Sequence, residues 1–203
     1  MSLSRNEVVL WLHNVSSLDL WGPPVSETWP RLRGRERDGW RPASVRSFSA
    51  PPAASQIQQL LDNAYGWSGV RPVPSAGALY PLRFFVASIG GAPALGSVRR
   101  ATTLNQEQAC ALDRAFFNQV AGPSVLIVAQ ASMDRPVRRY GARAYRYALL
   151  EAGHWAQEAI RFAAEVGLRS CPLGAFDDVA VSTILGNASG WTLPLYGLAL
   201  GEA

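Results

Sequence analysis

Apolar residues fall at helical spacing over residues 53–65, where Ile57, Leu60, Leu61 and Ala64 share one face, and the pattern predicts a helix. Residues 82–89 (LRFFVASI) form a short apolar run closed by Gly90 and Gly91, which predicts a buried strand. A helix is predicted over 107–120, with Ala109, Leu112, Ala115 and Phe116 inward. Residues 124–131 (SVLIVAQA) are apolar almost throughout, as in a strand covered on both faces. The longest helix is predicted over 142–166. Tyr145, Leu149, Ala152, Ala156, Ile160 and Ala163 form its inward stripe, and Gly167 is its C-terminal cap. A short helix over 177–185 and a strand over 193–200 complete the set. Helices and strands interleave irregularly and no segment repeats. These elements imply an α+β domain over residues 41–203, a mixed sheet with helices on its faces.

Residues 1–40 read differently. Ser4 and Glu7 form a capping-box pattern opening a short helix over 7–13, and the Trp21-Gly-Pro-Pro24 run ends it. Residues 31–38 are strongly charged and lie between Trp29 and Trp40. The stretch reads as an irregular arm whose Trp and Leu residues need a surface to cover, such as a partner subunit.

Composition narrows the function classes. The chain has 203 residues, 48% hydrophobic and 17% charged, which excludes disordered and low-complexity classes. No apolar run approaches the roughly 18 residues of a membrane span, and no secretory signal is read at the N-terminus. Two cysteines, Cys110 and Cys171, and two histidines, His13 and His154, are too few for a disulfide framework or a His-rich metal centre. A cytoplasmic, metal-free protein is expected. The net charge is +4, and all 19 basic residues are Arg. A GC-rich genome accounts for that usage. The Arg residues are scattered rather than set in one run, so nucleic-acid binding is not expected.

No phosphate-binding P-loop, G-x-G-x-x-G, G-x-S-x-G or H-E-x-x-H pattern occurs, so an enzyme built from this chain needs a cofactor. Three segments carry candidate chemistry. In Ser44-Val-Arg-Ser-Phe48, Ser44 and Arg46 fall on one side of extended chain and could hold a phosphate, or simply decorate a surface strand. Pro72-Val-Pro-Ser-Ala-Gly-Ala-Leu-Tyr-Pro81 sets small residues between prolines, which suits a stiff loop against a flat ligand or a tight turn ahead of a strand. The run from Arg138 to Tyr147 holds four Arg and three Tyr. A Tyr beside Arg is an acid/base arrangement, while the plainer reading is a solvated helix entrance with snorkelling Arg stems. His154, further along, reads more readily as a helix-packing histidine than as a catalyst.

PSAGALYPL (Pro74 to Leu82), RRYGARAYRYALLEAGHWAQ (Arg138 to Gln157) and PLGAFDD (Pro172 to Asp178) together resemble the SagB/ThcOx-type dehydrogenases of the FMN-dependent nitroreductase superfamily, over roughly residues 44–201. The resemblance implies a nitroreductase-like α+β fold that dimerises, with helices on both faces of the sheet and FMN at the subunit interface. It places Ser44 and Arg46 against the FMN phosphate and ribityl chain. Pro74, Ser75, Ala76 and Gly77 would lie along the isoalloxazine ring, with Gly174, Ala175 and Phe176 approaching from the other subunit. Arg139 and Tyr140 stand where the family often has a Lys-Tyr pair, so Tyr140 is the candidate base and Arg139 the residue holding charge or substrate. Pro42 and Ala43 stand where members often carry paired basic residues, and Gln157-Glu158 replaces a Gln-Asn. Residues 90–105 are short, as in a minimal member.

The activity implied is oxidation of thiazoline or oxazoline rings to azoles in natural-product biosynthesis. The substrate would be a ribosomal peptide or a carrier-bound peptide-like intermediate, and other biosynthetic enzymes would be partners beside the homodimer. Two other functions fit the same residues: reduction of nitro or enone groups with NAD(P)H, and a flavin-free scaffold subunit of a modification complex. The missing basic residues before Ser44 motivate the latter.

Overall fold

A computed structural model describes residues 43–66, 69, 71–186 and 191–203. The arm expected over 1–40 lies outside them. Five helices and five strands occur among the described residues: α1 (Ala54–Ala64), β1 (Leu82–Ile89), β2 (Ala101–Thr103), α2 (Gln106–Ala115), β3 (Ser124–Ser132), α3 (Asp134–Tyr140), α4 (Arg143–Glu165), β4 (Arg169–Leu173), α5 (Asp178–Leu185) and β5 (Thr192–Gly201). The strands form one sheet in the order β2-β1-β3-β5-β4. Only β1 and β2 run parallel; β1 with β3, β3 with β5, and β4 with β5 are antiparallel. The sheet is mixed, as expected.

Period-two alternation of the central strands builds two cores. Leu82, Phe84 and Val86 of β1 and Val125, Ile127 and Ala129 of β3 face α1 and α4, where Trp155 is fully buried. Phe85, Ala87 and Ile89, with Leu126 and Val128, face α2 and α5. The sheet therefore carries helices on both faces. In β5 the parity changes at a bulge: Ala129 pairs with Tyr196 but Gln130 with Pro194, leaving Leu195 unpaired. The change of parity there lets Leu193 and Leu195, and then Leu198 and Leu200, reach the same core.

Helix ends follow local chemistry. Asn105 and Gln108 cap α2 reciprocally, and Asp177 accepts the Ala180 N–H at the start of α5. Gly167, just past α4, has φ 78°, the left-handed cap its sequence position predicts.

Four expectations need correction. The helix expected to reach residue 120 stops at Ala115, because Phe117 and Asn118 turn left-handed (φ 57° and 46°). That turn brings Ala121 beside the Ser44–Phe48 segment, where Ala121 N–H donates to the Arg46 carbonyl at 2.7 Å. The inward stripe of α4 holds Ala152, Ala156, Ile160 and Ala163 as expected and widens to Ala144, Ala148, Glu151, Trp155 and Ala159, but Leu149 is 42% exposed. His154 is exposed rather than packed. Finally β2, α3 and β4 lay hidden: β2 is three residues long, β4 (RSCPL) mixes Arg and Pro into an edge strand, and α3 carries Pro136 in its first turn, where proline is tolerated.

Candidate active site

The small-residue loop and the Arg-Tyr pair meet. Pro81, just after the loop, accepts the Ser132 N–H at 2.9 Å, which ties the loop to the end of β3. α3 begins two residues beyond Ser132 and ends on Arg139 and Tyr140. Gly77 (φ 60°) sits directly over them: a Cβ there would overlap the Tyr140 hydroxyl and lie 2.9 Å from Arg139 Cζ. Tyr140 packs edge-on against Tyr147 of α4 (centroids 5.1 Å apart, 78° between planes), and Arg139 Cζ lies 5.5 Å from the Tyr140 ring.

The loop is held under strain. Ala78 and Tyr80 also have positive φ (54° and 45°), which costs about 1–3 kcal/mol for each such residue. Hydrogen bonds offset this. Tyr80 N–H donates to Ser75 Oγ at 2.9 Å, and the Arg71 guanidinium covers the Tyr80 ring at 3.9 Å. Below the loop, Tyr65 donates its hydroxyl hydrogen to Glu151 Oε1 at 2.6 Å, and Ser75 lines the same crevice as that carboxyl. Burial pushes the Glu151 carboxyl above the ordinary carboxylate range, opposed by the nearby Ser75 and Tyr65 hydroxyls and the charges of Arg71 and His154. Burial, then the Glu151 charge, pushes the Tyr65 phenol up as well, so it stays protonated. Ser75, Ala76, Leu79, Tyr140, Tyr147 and Glu151 line a crevice of about 10 Å³, room for a water molecule. A larger planar ligand would therefore lie on the exposed outer side of the loop.

Ser44 and Arg46 gather elsewhere, with Gly174, Ala175 and Phe176. Both Ser44 and Arg46 are exposed. Val45 N–H donates to the Ser170 carbonyl at 3.0 Å, fixing the segment beside β4. Gln119 links the rest: its Nε2 donates to the Ala175 carbonyl at 2.6 Å and to Phe116 at 2.9 Å, and its own carbonyl accepts from Arg46 at 3.2 Å. Phe176 turns into the core, 5% exposed and 4.9 Å from the Phe116 ring, so Gly174 and the backbone of Ala175 form the outer surface of this loop. Val45 and Phe176 pack in the core under α2 and α5, whereas Tyr80 and Tyr140 pack in the core under α1 and α4. Val45 and Phe176 thus lie across the sheet from Tyr80 and Tyr140, while a Cβ at Gly174 would lie 3.9 Å from Tyr196, which packs in the core under α1 and α4.

Glu151, Tyr65 and Gln119 were not singled out by sequence. For Glu151 a signal existed: it is the one acid among the alanines of the inward stripe of α4. Gln119 gave none, because its role depends on a left-handed turn. Along the outer side of α4 an open groove of about 550 Å³ is lined by Ala142, Arg143, Tyr145, Arg146, Leu149 and Leu150.

The family model described as Nitroreductase family matches residues 43–202. A protein of Methanocaldococcus jannaschii, named for an inferred nitroreductase activity, is 35% identical over 158 residues, covering 70% of this chain and 79% of that protein. Among solved structures, the Escherichia coli microcin synthetase McbBCD complex with truncated pro-MccB17 bound superposes with a TM-score of 0.69 at 21% identity, over 92% of this chain and 80% of that one. The NADPH:FMN oxidoreductase from Vibrio harveyi complexed with NAD+ gives a TM-score of 0.58 at 18% identity, over 79% of this chain and 64% of that one.

Proposed function

The chain belongs to the nitroreductase family, and from that premise we propose that it is an FMN-dependent dehydrogenase that oxidises thiazoline or oxazoline rings, in a peptide or a carrier-bound peptide-like intermediate, to azoles in natural-product biosynthesis. The observation that carries this reading is the contact between Gly77 and the Arg139–Tyr140 pair. It sets the loop suited to a flat ring beside the residue suited to take a proton.

The residues present fit FMN. Arg46 offers an exposed guanidinium for the phosphate, with Ser44 beside it. Gly77 lacks the Cβ that would strike Tyr140, so the loop closes on the Arg-Tyr pair and leaves its exposed outer side for the ring; Gly174 is exposed on the other group. When bound, FMN would supply the two-electron acceptor for the hydride leaving the ring. The chain supplies the proton chemistry: Tyr140 Oη takes the carbon-bound proton of the azoline. Arg139 cannot act as a base and instead holds the phenolate charge or the substrate carbonyl.

The split between the two groups supports a homodimer in which one copy contributes Ser44, Arg46 and Gly174–Phe176 and the other contributes Pro74–Gly77 and Tyr140. Leu149 and Leu150, 42% and 54% exposed on α4, are an apolar surface such a dimer would cover. The microcin synthetase complex, solved with a bound pro-peptide, supports a peptide substrate and further biosynthetic partners.

Absorption spectroscopy of the purified protein, followed by mass spectrometry of azoline peptides for loss of two hydrogens per ring, tests the assignment. A yellow protein that leaves azolines intact but oxidises NAD(P)H would instead favour nitro or enone reduction, the reading suggested by the M. jannaschii relative. A protein that stays colourless with added FMN would favour a flavin-free scaffold. Arg46→Ala is expected to weaken FMN retention about tenfold or more, since charge-assisted hydrogen bonds contribute about 1.5–3 kcal/mol. Flavin absorbance per protein after gel filtration reads this, and unchanged retention would exclude Arg46 as the anchor. Arg71 is a poorer anchor, because it already covers Tyr80 and donates to the Gly66 carbonyl.

A further inference from the structure

Glu151 is the only charged side chain among the buried described residues, 3% exposed on the inward stripe of α4. A carboxyl so placed needs donors, and their directions can be assigned. Ser75 Oγ accepts the Tyr80 N–H at 2.9 Å, and Tyr65 Oη accepts the Leu82 N–H at 3.2 Å. Each hydroxyl, having taken a backbone hydrogen, has its own hydrogen to give: Tyr65 gives it to Glu151 Oε1, and the Ser75 hydroxyl lines the same crevice and favours that carboxylate. The amide after Pro81 is thus hung, through Tyr65, on the carboxylate, and the amide before Pro81 on the hydroxyl beside it. Tyr80, at one of those amides, is the bulky residue forced to φ 45°. Arg71, stacked on its ring, adds a positive charge near the same carboxylate.

We propose that Glu151 is the positioning residue of the Pro74–Tyr80 loop: acting through the Tyr65 hydroxyl that donates to it, and beside the Ser75 hydroxyl that takes the Tyr80 N–H, its carboxylate holds the left-handed residues in the conformation that lays Gly77 over Arg139 and Tyr140. It touches no ligand itself. Its effect on flavin rests on the proposed function above; its effect on the loop does not.

Glu151→Gln keeps the shape but removes the charge that the Tyr65 hydroxyl donates to and that the Ser75 hydroxyl lies beside. Hydrogen–deuterium exchange of the flavin-free full-length protein reads the loop directly. Amides of residues 75–80 should exchange at least about tenfold faster in the variant, with β3 amides unchanged. A merely structural buried acid would loosen both alike. Where Glu151→Gln does not fold, Glu151→Asp, which sets the carboxylate one methylene short, is expected to give the same local acceleration. Unchanged exchange at 75–80, or acceleration shared equally by β3, overturns the proposal. FMN titration of the wild type and the variant forms the second arm, with about tenfold weaker uptake expected in the variant. No uptake by the wild type would defeat the flavin reading while the exchange result still decides the role of Glu151. Equal uptake by both proteins, despite a loosened loop, would remove the loop from the flavin surface and leave that role standing.

Discussion

Tyr140→Phe is expected to lower azoline oxidation by about a hundred- to ten-thousandfold while flavin remains bound, the range typical of losing a general base. The substitution removes the Oη that a side chain at Gly77 would overlap and nothing else near it. The ring still packs on Tyr147, so α3 and α4 keep their junction. Arg139 cannot take over as base, because a guanidinium does not give up its proton at ordinary pH. Single-turnover kinetics followed by flavin bleaching separate the two effects. Full retention of turnover would move the base to Tyr147 or Tyr145, the other phenols of that helix entrance.

The second large effect lies away from the chemistry. Gly122→Ala is expected to destabilise the protein by about 3 kcal/mol or more, and so lower its thermal midpoint by about 10 °C. Gly122 has φ 79°, where a Cβ is strained, and that Cβ would overlap the backbone carbonyl of Phe48. Backbone cannot rotate away as a side-chain tip can. Phe48 in turn lies against Gly201, where a Cβ would meet its ring at 2.7 Å, and its N–H donates to Ala121 at 2.9 Å. The displacement would reach Arg46, whose carbonyl holds Ala121 from the other side. Flavin retention should therefore fall together with stability. Calorimetry alongside flavin absorbance checks both, and a midpoint within about a degree of wild type would show that the Phe48 segment shifts freely.

How far the sequence foretold this arrangement depends on the kind of signal. Leu82–Ile89 was legible to the residue, because a fully buried strand writes its apolar run directly into the chain and two glycines close it. β2 and β4 were not legible, since edge strands of three and five residues with Thr, Arg and Pro carry no periodicity. The end of α2 was missed because the apolar Phe116 and Phe117 continue a helical pattern that only the need to return toward the Ser44–Phe48 segment interrupts. The motifs marked candidate residues. They did not show that Gly77 packs on Tyr140 while Phe176 lies across the sheet, because that follows from the strand order. Glu151 was hidden for a related reason. An acid on an alanine-lined stripe looks like a break in the pattern until Tyr65, 86 residues earlier, is found donating to it.

The central claim is that one flavin needs both groups of residues and that two copies of the chain provide them. Co-expression of Arg46→Ala with Gly77→Val, under two different affinity tags, tests it most directly. Each variant alone should carry little flavin. In the doubly purified mixed dimer, one site receives both defects and the other receives neither, so flavin content should recover to about half that of the wild type. A mixed dimer as colourless as either parent would contradict the account, since it would place both groups of residues around the same ring within a single copy.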